Sequence, residues 1–422
     1  MLQVGALIVF STDFGWSALA DSIPETRTEI DWFDLLSGTA VLSPRISLDS
    51  SVSSFVAAPR IRMGNALVPY FDLDELSLAI RALGILEMKF GVFRHQPGTA
   101  LFFSNVEYFS HSDPLRLMEE GLQATVSPNA LASIQVLGDR WYAGFLVAPL
   151  VMNDSLVPTD SPWFPRKDIR ASYKVGSYTF RLNNLAWETQ PAILEPEIDI
   201  SYSGEAGFSA GGFDGSLILF DGRDRSYCVT SLITMPASPW GVYDITLAPV
   251  YGHSRQVGTA LSMQLDVLRF WIDSSAFWDK TIATKELYNA STGWETATRT
   301  IHGISLTGGF SWNLPIPDGL FAVETRYSLY ADNETGDTYP FLDRIATAVL
   351  SGSFLDQAFN YSLLSFVSLS DYSLCIISSI SMPFGADHQV SFTVPLFIGQ
   401  SDTDFGQYSG QNRMKINLVF QL

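Results

Sequence analysis

The chain has 422 residues, of which 47% are hydrophobic, 13% aromatic and only 16% charged, and its net charge is −19 at pH 7. The charged share lies well under the roughly 25% of ordinary soluble domains, and 44 Asp and Glu against 25 Lys and Arg argue against a nucleic-acid partner, whose phosphates need clustered cations. No run approaches the ~18 apolar residues of a membrane-spanning helix. The two cysteines, Cys228 and Cys375, are too few for a disulfide framework or a Cys-built metal site.

Residues 1–20 read as a secretory signal. The first ten are apolar, and Ala18-Leu19-Ala20 before Asp21 is a small-x-small cleavage site. No Lys or Arg precedes the apolar run, so a buried N-terminal strand is the alternative. Residues 21–422 read as one domain. Strand-like runs begin near Leu35 and return at 46–56 and 59–68.

The segments 72–82 and 85–94 are separated only by Leu83-Gly84. In the first, Leu76, Leu78 and Ile80 oppose Glu75, Ser77 and Arg81; in the second, Leu86, Met88, Phe90 and Val92 oppose Glu87, Lys89 and Gly91. Period-two alternation of this kind makes a hairpin with one apolar and one polar face. A long segment, 95–120, follows before alternation resumes at 121–126, 131–137 and 141–147.

Further runs are expected at 168–175, 178–185, 198–208, 216–220, 242–251, 260–271, 301–312, 320–331, 345–354, 359–369, 372–382 and 389–398. At about ten residues per strand plus turns, the chain is expected to form an all-β, transmembrane antiparallel β-barrel of roughly 16–18 strands. Trp141, Tyr142, Trp240, Tyr251, Trp271, Trp312 and Tyr330 fall near predicted strand ends, where interfacial girdles want amphipathic rings.

Short turns of such barrels face one side and long loops the other. Leu83-Gly84 is a minimal turn, so 95–120 belongs to the long-loop side and is expected to fold into the lumen. Leu101, Phe102, Phe103 and Phe109 would pack it against the wall, leaving Asp113, Arg116 and Glu119 toward the pore. Arg81, Glu87, Lys89, Arg94, Arg170, Lys174, Glu324 and Arg326 complete the candidate pore-lining set. Their bland alternative is a mutually paired, solvated inner wall.

The stretch 73–121 resembles a family of porin-like outer-membrane barrels, mostly uncharacterised. That family carries Leu-Asn-Glu-Leu, Gly-Arg-Gln…Trp-Gly, an aromatic-rich segment, and Asp-Pro-Leu-Arg…Glu-Gly. Here Leu73-Asp74-Glu75-Leu76, Met88-Lys89-Phe90-Gly91, Gly98, Leu101-Phe102-Phe103-Ser104-Asn105, Asp113-Pro114-Leu115-Arg116 and Glu120-Gly121 correspond. Val92 and Phe93 stand where the family has Arg-Gln, and Pro97 where it has Trp, so Arg94 is the nearest substitute for that Arg. The terminal alternation of Met414, Ile416, Leu418 and Phe420 is similar to the C-terminal targeting signal of outer-membrane barrels, with Leu422 in place of the usual Phe. The resemblance implies outer-membrane location, a lipid surround and recognition by the barrel-assembly machinery.

The five histidines lack any ligand spacing, and no nucleophile elbow or Walker loop occurs. Neither a cofactor nor catalysis is therefore expected. Asp332–Asp337 and Asp402–Gly406 could cradle Ca²⁺ but lack EF-hand spacing, and solvated loops are the better reading. The leading function is passive passage of small polar solutes or ions. The alternatives are a non-conducting barrel that anchors surface loops and a soluble secreted β-sandwich.

Overall fold

The computed structural model describes residues 2–15, 36–49, 52–63, 70–109, 128–149, 172–175, 177–188, 200–224, 228–235, 241–289, 293–331, 343–355, 357–383, 388–411 and 413–421. The first strands are β1 (Leu2–Gly15), β2 (Leu36–Asp49), β3 (Ser53–Met63), β4 (Tyr70–Ala82), β5 (Leu86–Phe93), β6 (Asn129–Leu137) and β7 (Trp141–Ala148). Next come β8 (Ser172–Val175), β9 (Tyr178–Trp187), β10 (Ser201–Ala210), β11 (Phe213–Arg223), β12 (Cys228–Thr234), β13 (Val242–Val250) and β14 (His253–Leu265). The chain closes with β15 (Leu268–Asn289), β16 (Gly293–Asn313), β17 (Leu320–Ala331), β18 (Ile345–Phe354), β19 (Phe359–Ser368), β20 (Leu374–Pro383), β21 (His388–Ile398) and β22 (Arg413–Gln421).

Neighbouring strands pair antiparallel in chain order, and β1 pairs with both β2 and β22, which closes the sheet into a ring. Two excursions interrupt the order: β7 pairs directly with β10, and β11 directly with β14. Eighteen strands therefore form the ring, within the expected 16–18. The four omitted strands form a side sheet in the order β8–β9–β13–β12, in which only the β9–β13 pairing is parallel. This sheet leans on the ring through Leu232 and Ile233 of β12, opposite Glu295 and Trp294 of β16. Its own small core holds Ile233, Tyr243, Ile245 and Leu247, packed against Phe180, Leu182, Leu185 and Trp187.

Both ends of the ring are legible from its connections. Tight turns such as Leu83-Gly84 and Gly211-Gly212, all four residues at positive φ, lie at one end with the starts of β1 and β21. Positive φ at both central residues is the type I′ hairpin requirement. The long connections, including those after β5, β7 and β11, leave and re-enter the ring at the other end. β15 and β16 run on beyond that rim as an extended hairpin, pairing Lys280–Ile301 through Asn289–Gly293.

The ring's two faces differ chemically. Outward positions carry exposed apolar side chains, among them Leu76, Leu78, Phe90, Leu217, Ile272, Ile304, Leu329, Phe392 and Leu396. At the tight-turn end, outward aromatic rings meet in cross-strand pairs: Phe208–Phe213, Phe270–Phe310, Phe310–Phe321 and Phe354–Phe359. Trp278 and Tyr327, also outward and exposed, stand toward the other end. Phe270 to Trp278 is eight residues, about 27 Å along a strand. After tilting this is comparable to the apolar band of ~25 Å, flanked by aromatic girdles, that a bilayer demands.

Leu2–Gly15, within the segment 1–20, forms the ring strand β1 and supplies the pairing that β2 and β22 would otherwise lack at their facing edges. Several expectations need correction. The runs at 178–185 and 242–251, expected in the wall, form β9 and β13 of the side sheet, because their apolar faces bury against one another, and of the run at 168–175 the described part, Ser172–Val175, is β8 paired to β9. The run at 260–271 is a hairpin rather than one strand, turning at Asp266 in the left-handed region (φ 50°). Residues 46–56 likewise end β2 and begin β3. Trp271 and Tyr330, expected in the girdles, point inward: Trp271 is 1% exposed, and Tyr330 donates to Asp343. The expected run at 121–126 lies outside the described residues.

The outward assignment makes a quantitative prediction. An Arg at bilayer midplane costs about 2–4 kcal/mol on a barrel's lipid face. Ile272→Arg is therefore expected to lower refolding stability in lipid vesicles by that amount. Thr393→Arg, on an inward position of β21, is expected to cost little. A urea titration of both variants measures the difference.

Candidate functional site

After β5 the chain leaves the wall and runs along the ring's inner face. Its anchors at that point are Phe93, Phe109, Leu131, Leu146 and Phe220, which pack together where the segment departs and returns. Outbound, His95 Nε2 lies 2.6 Å from Glu205 Oε1 on β10. The turn of the segment is fixed farther round, on β15 and β17.

Two buried carboxylates hold that turn. Asp273 of β15 accepts the backbone N–H of Thr99 (3.1 Å) and Ala100 (3.2 Å) and the hydroxyls of Thr99 (2.5 Å) and Ser104 (2.7 Å). Glu324 of β17 accepts the N–H groups of Leu101 (2.7 Å), Phe102 (3.2 Å) and Phe103 (2.8 Å), and the Trp271 indole N–H (2.9 Å). A carboxylate has about four acceptor sites, so each anion is fully solvated by protein donors. Hydrogen bonds to charged groups contribute about 1.5–3 kcal/mol each, and an unpaired buried anion is costly.

The return path is equally well held. Asn105 Nδ2 donates to the Asp273 carbonyl and to Thr307 Oγ1 (2.9 Å), and Thr307 donates to the Phe103 carbonyl (2.8 Å). Tyr108 donates to Ser275 Oγ (3.1 Å). Gly258 of β14 faces this strip; a Cβ there would collide with Tyr108 Oη and Val106 Cγ1. Gly309 similarly leaves space for the Trp271 ring to lie against the wall.

Phe102 and Phe103 then reach an apolar patch on the inner wall that includes Ile345, Val349, Leu364, Phe366, Cys375 and Phe397. A second segment covers the same patch. A short 3-10 helix, Gly406–Gln411, brings in Tyr408, and Phe405 precedes it fully buried. Asp371 accepts the Asp404 N–H (2.6 Å), and Ser368 donates to Asp404 Oδ2 (2.7 Å). The stretch at 402–406, expected as a solvated loop, is thus folded inward because Phe405 has an apolar wall to cover. Asp332–Asp337 lies outside the described residues.

The expected pore-lining residues separate into groups. Arg81, Glu87 and Lys89 lie on the polar face of the β4–β5 hairpin, opposite exposed Leu78 and Phe90. They are paired there: Arg81 with Glu87 at 2.7 Å, and Lys89 with Glu75 at 3.3 Å, Lys89 also lying over the Phe93 ring. Arg94 is half-buried just past β5, and Arg326 is half-buried on the inner face of β17. Glu324 is inward but 1% exposed beneath the loop, so it docks the loop and is closed to solutes. Lys174 belongs to β8 of the side sheet, away from the ring. Asp113, Arg116, Glu119 and Arg170 lie outside the described residues. Of the expected wall-packing residues Phe102, Phe103 and Phe109 do pack, whereas Leu101 is 40% exposed.

Sequence reasoning missed Asp273, Thr307, Trp271 and Gly258. A weak signal existed: Asp273 directly follows the apolar run Phe270-Trp271-Ile272, where the predicted wall strand 260–271 ends. Among the described residues no group of three His, Cys, Asp or Glu side chains is placed to hold a metal ion.

No family model and no curated relative matches the chain. Solved structures do. Salmonella typhi OmpF, solved with daunomycin, is similar at 8% identity and TM-score 0.40, covering 100% of this chain and 97% of that one. A Rhodopseudomonas blastica porin mutant is similar at 10% identity and TM-score 0.38, covering 100% of both chains. Acinetobacter baumannii OccAB4 gives 8% identity and TM-score 0.48, with 100% and 97% coverage. These are likenesses in outline; the strand pairings above define the fold of this chain.

Glu107, within the docked loop, has its carboxyl pushed up to about 8 by burial and by the charges of Asp273 and Glu324. A raised carboxyl pKa stabilises the docked state fully below its ordinary 4.5 and loses that contribution as pH rises through about 8. Protease protection of residues 95–109 is therefore expected to weaken between about pH 5 and pH 9, and Glu107→Gln to flatten the dependence. Glu324→Ala, which strips three backbone N–H groups of their acceptor, is expected to expose the same residues to cleavage at every pH.

Proposed function

We propose that this protein is a porin-like channel of the outer membrane of a Gram-negative-type bacterium, passing small polar solutes or ions. The observation that carries the reading is the docking of residues 95–109 across the inner face of a closed 18-stranded ring. Sixteen- to eighteen-stranded barrels leave an aqueous lumen, and a segment fixed along one side of it narrows the passage. The polar face of the β4–β5 wall carries the Arg81–Glu87 and Lys89–Glu75 pairs. In this reading the outward apolar face meets lipid, the tight turns face the periplasm, and the long connections face outside. The last strand, Arg413–Gln421, would be the element offered to the barrel-assembly machinery.

A second reading has one observation in its favour. The side sheet has its own core and stands with the extended β15–β16 hairpin on the long-connection side. A barrel serving mainly to anchor that sheet would conduct poorly.

Planar-bilayer recording decides between them. The wild-type protein is expected to conduct, and Gly258→Leu, which expels Tyr108 and Val106 and removes the Tyr108–Ser275 hydrogen bond while leaving the Asp273 and Glu324 anchors in place, is expected to raise single-channel conductance. Deletion of residues 96–108 should raise it further. A silent wild-type barrel that stays silent after the deletion would support the anchoring role.

A further inference from the structure

The inner wall of β18–β21 changes character along its length. Toward the long-connection side the rungs are apolar: Val349, Leu364, Ile377 and Pro395 stand side by side across four strands. The docked loop and the 3-10 helix segment cover this patch with Phe103, Phe405 and Tyr408. Toward the tight turns, apolar side chains vanish from the inward positions.

The next rung is Ser351, Ser362, Ser379 and Thr393, in register. The one after it is Ser353, Asn360, Ser381 and Ser391. Seven hydroxyls and one amide thus tile the two rungs, with strands spaced about 4.8 Å apart. None of these eight residues is charged; in register beyond Thr393, on β22, the next residue is Lys415. Asp318, from the turn between β16 and β17, supplies one carboxylate at the edge and accepts the Ser353 hydroxyl at 2.6 Å. Six of the eight, all but Thr393 and Ser391, line with Asp318 an open cavity of about 430 Å³, to which no described residue of either inward segment contributes.

An inner wall needs polar groups merely to be wetted, and charged ones serve as well, as the β4–β5 wall shows. A field of neutral hydroxyls is more selective. Each can donate and accept at once, so a solute hydroxyl can exchange water for protein without stripping any charge. The eight residues themselves offer an ion no counter-charge, and Asp318 adds only one carboxylate at the edge. From this arrangement we infer that the cavity is a binding station for neutral polyhydroxylated solutes, the saccharide class. The inference rests on the channel reading above for its biological use, though not for its chemistry.

The test is current blockade in a planar bilayer, comparing a neutral trisaccharide with a polyethylene glycol of equal hydrodynamic size. The saccharide is expected to interrupt the current at about tenfold lower concentration, the effect of roughly one to two net hydrogen bonds. Ser362→Ala with Ser379→Ala should remove most of that difference. Ser378→Ala, outward on β20, should preserve it. Equal blockade by the two solutes in the wild type would overturn the inference. If the barrel does not conduct, the channel reading fails, and saccharide titration of the detergent-folded protein by intrinsic Trp fluorescence takes over. Saturable binding lost in the double variant then upholds the site, and no saturable binding overturns it.

Discussion

Two carboxylates buried in the barrel wall, Asp273 and Glu324, organise the interior. Each would be prohibitively costly as a bare anion in its site, and each is instead surrounded by donors from one short stretch, residues 99–104. The dependence runs both ways. The wall charges need the loop's N–H groups, and the loop, lacking regular structure of its own, has few other acceptors for them. Removing any one partner leaves a buried charge or a buried N–H unsatisfied. Docking is therefore close to all-or-none.

That constraint explains neighbouring choices in the sequence. Glycine at 258 and 309 keeps the wall thin where Tyr108, Val106 and the Trp271 ring must lie flat. Asn105 donates to Thr307, and Thr307 to the loop carbonyl of Phe103, at the midpoint of the path. Phe103 carries the loop's weight onto the apolar patch of β18–β21, which the 3-10 helix segment shares. An inner wall can be apolar only where something covers it, and here two separate loops do so.

Much of the ring was legible from alternation alone. The stretches 320–331 and 345–354 match β17 and β18 to the residue, because each is a single run with one apolar face and clear breaks. Alternation could not say which strands belong to the ring. β9 and β13 alternate as cleanly as wall strands, and their apolar faces are buried against each other rather than turned outward. Period two records that one face is apolar; it is silent on what covers that face. The hairpin at Asp266 was hidden for a different reason, since an Asp in the left-handed region does the work of the expected Gly.

The candidate site was legible in part. Of the segment 95–120, expected inward from its length and aromatic content, residues 95–109 are described; they run along the inner face with Phe103 and Phe109 packed against it. The charged residues were harder to place because sign and alternation do not distinguish a group that lines water from one that docks backbone. Glu87 and Glu324 occupy equivalent inward positions on their strands. Glu87 meets Arg81 across one hairpin, in contact with solvent. Glu324 meets three consecutive N–H groups from a segment more than two hundred residues distant in sequence. Only the closure of the ring brings that segment to it, so the chemistry of the interior is a property of the topology, and a reading strand by strand cannot contain it.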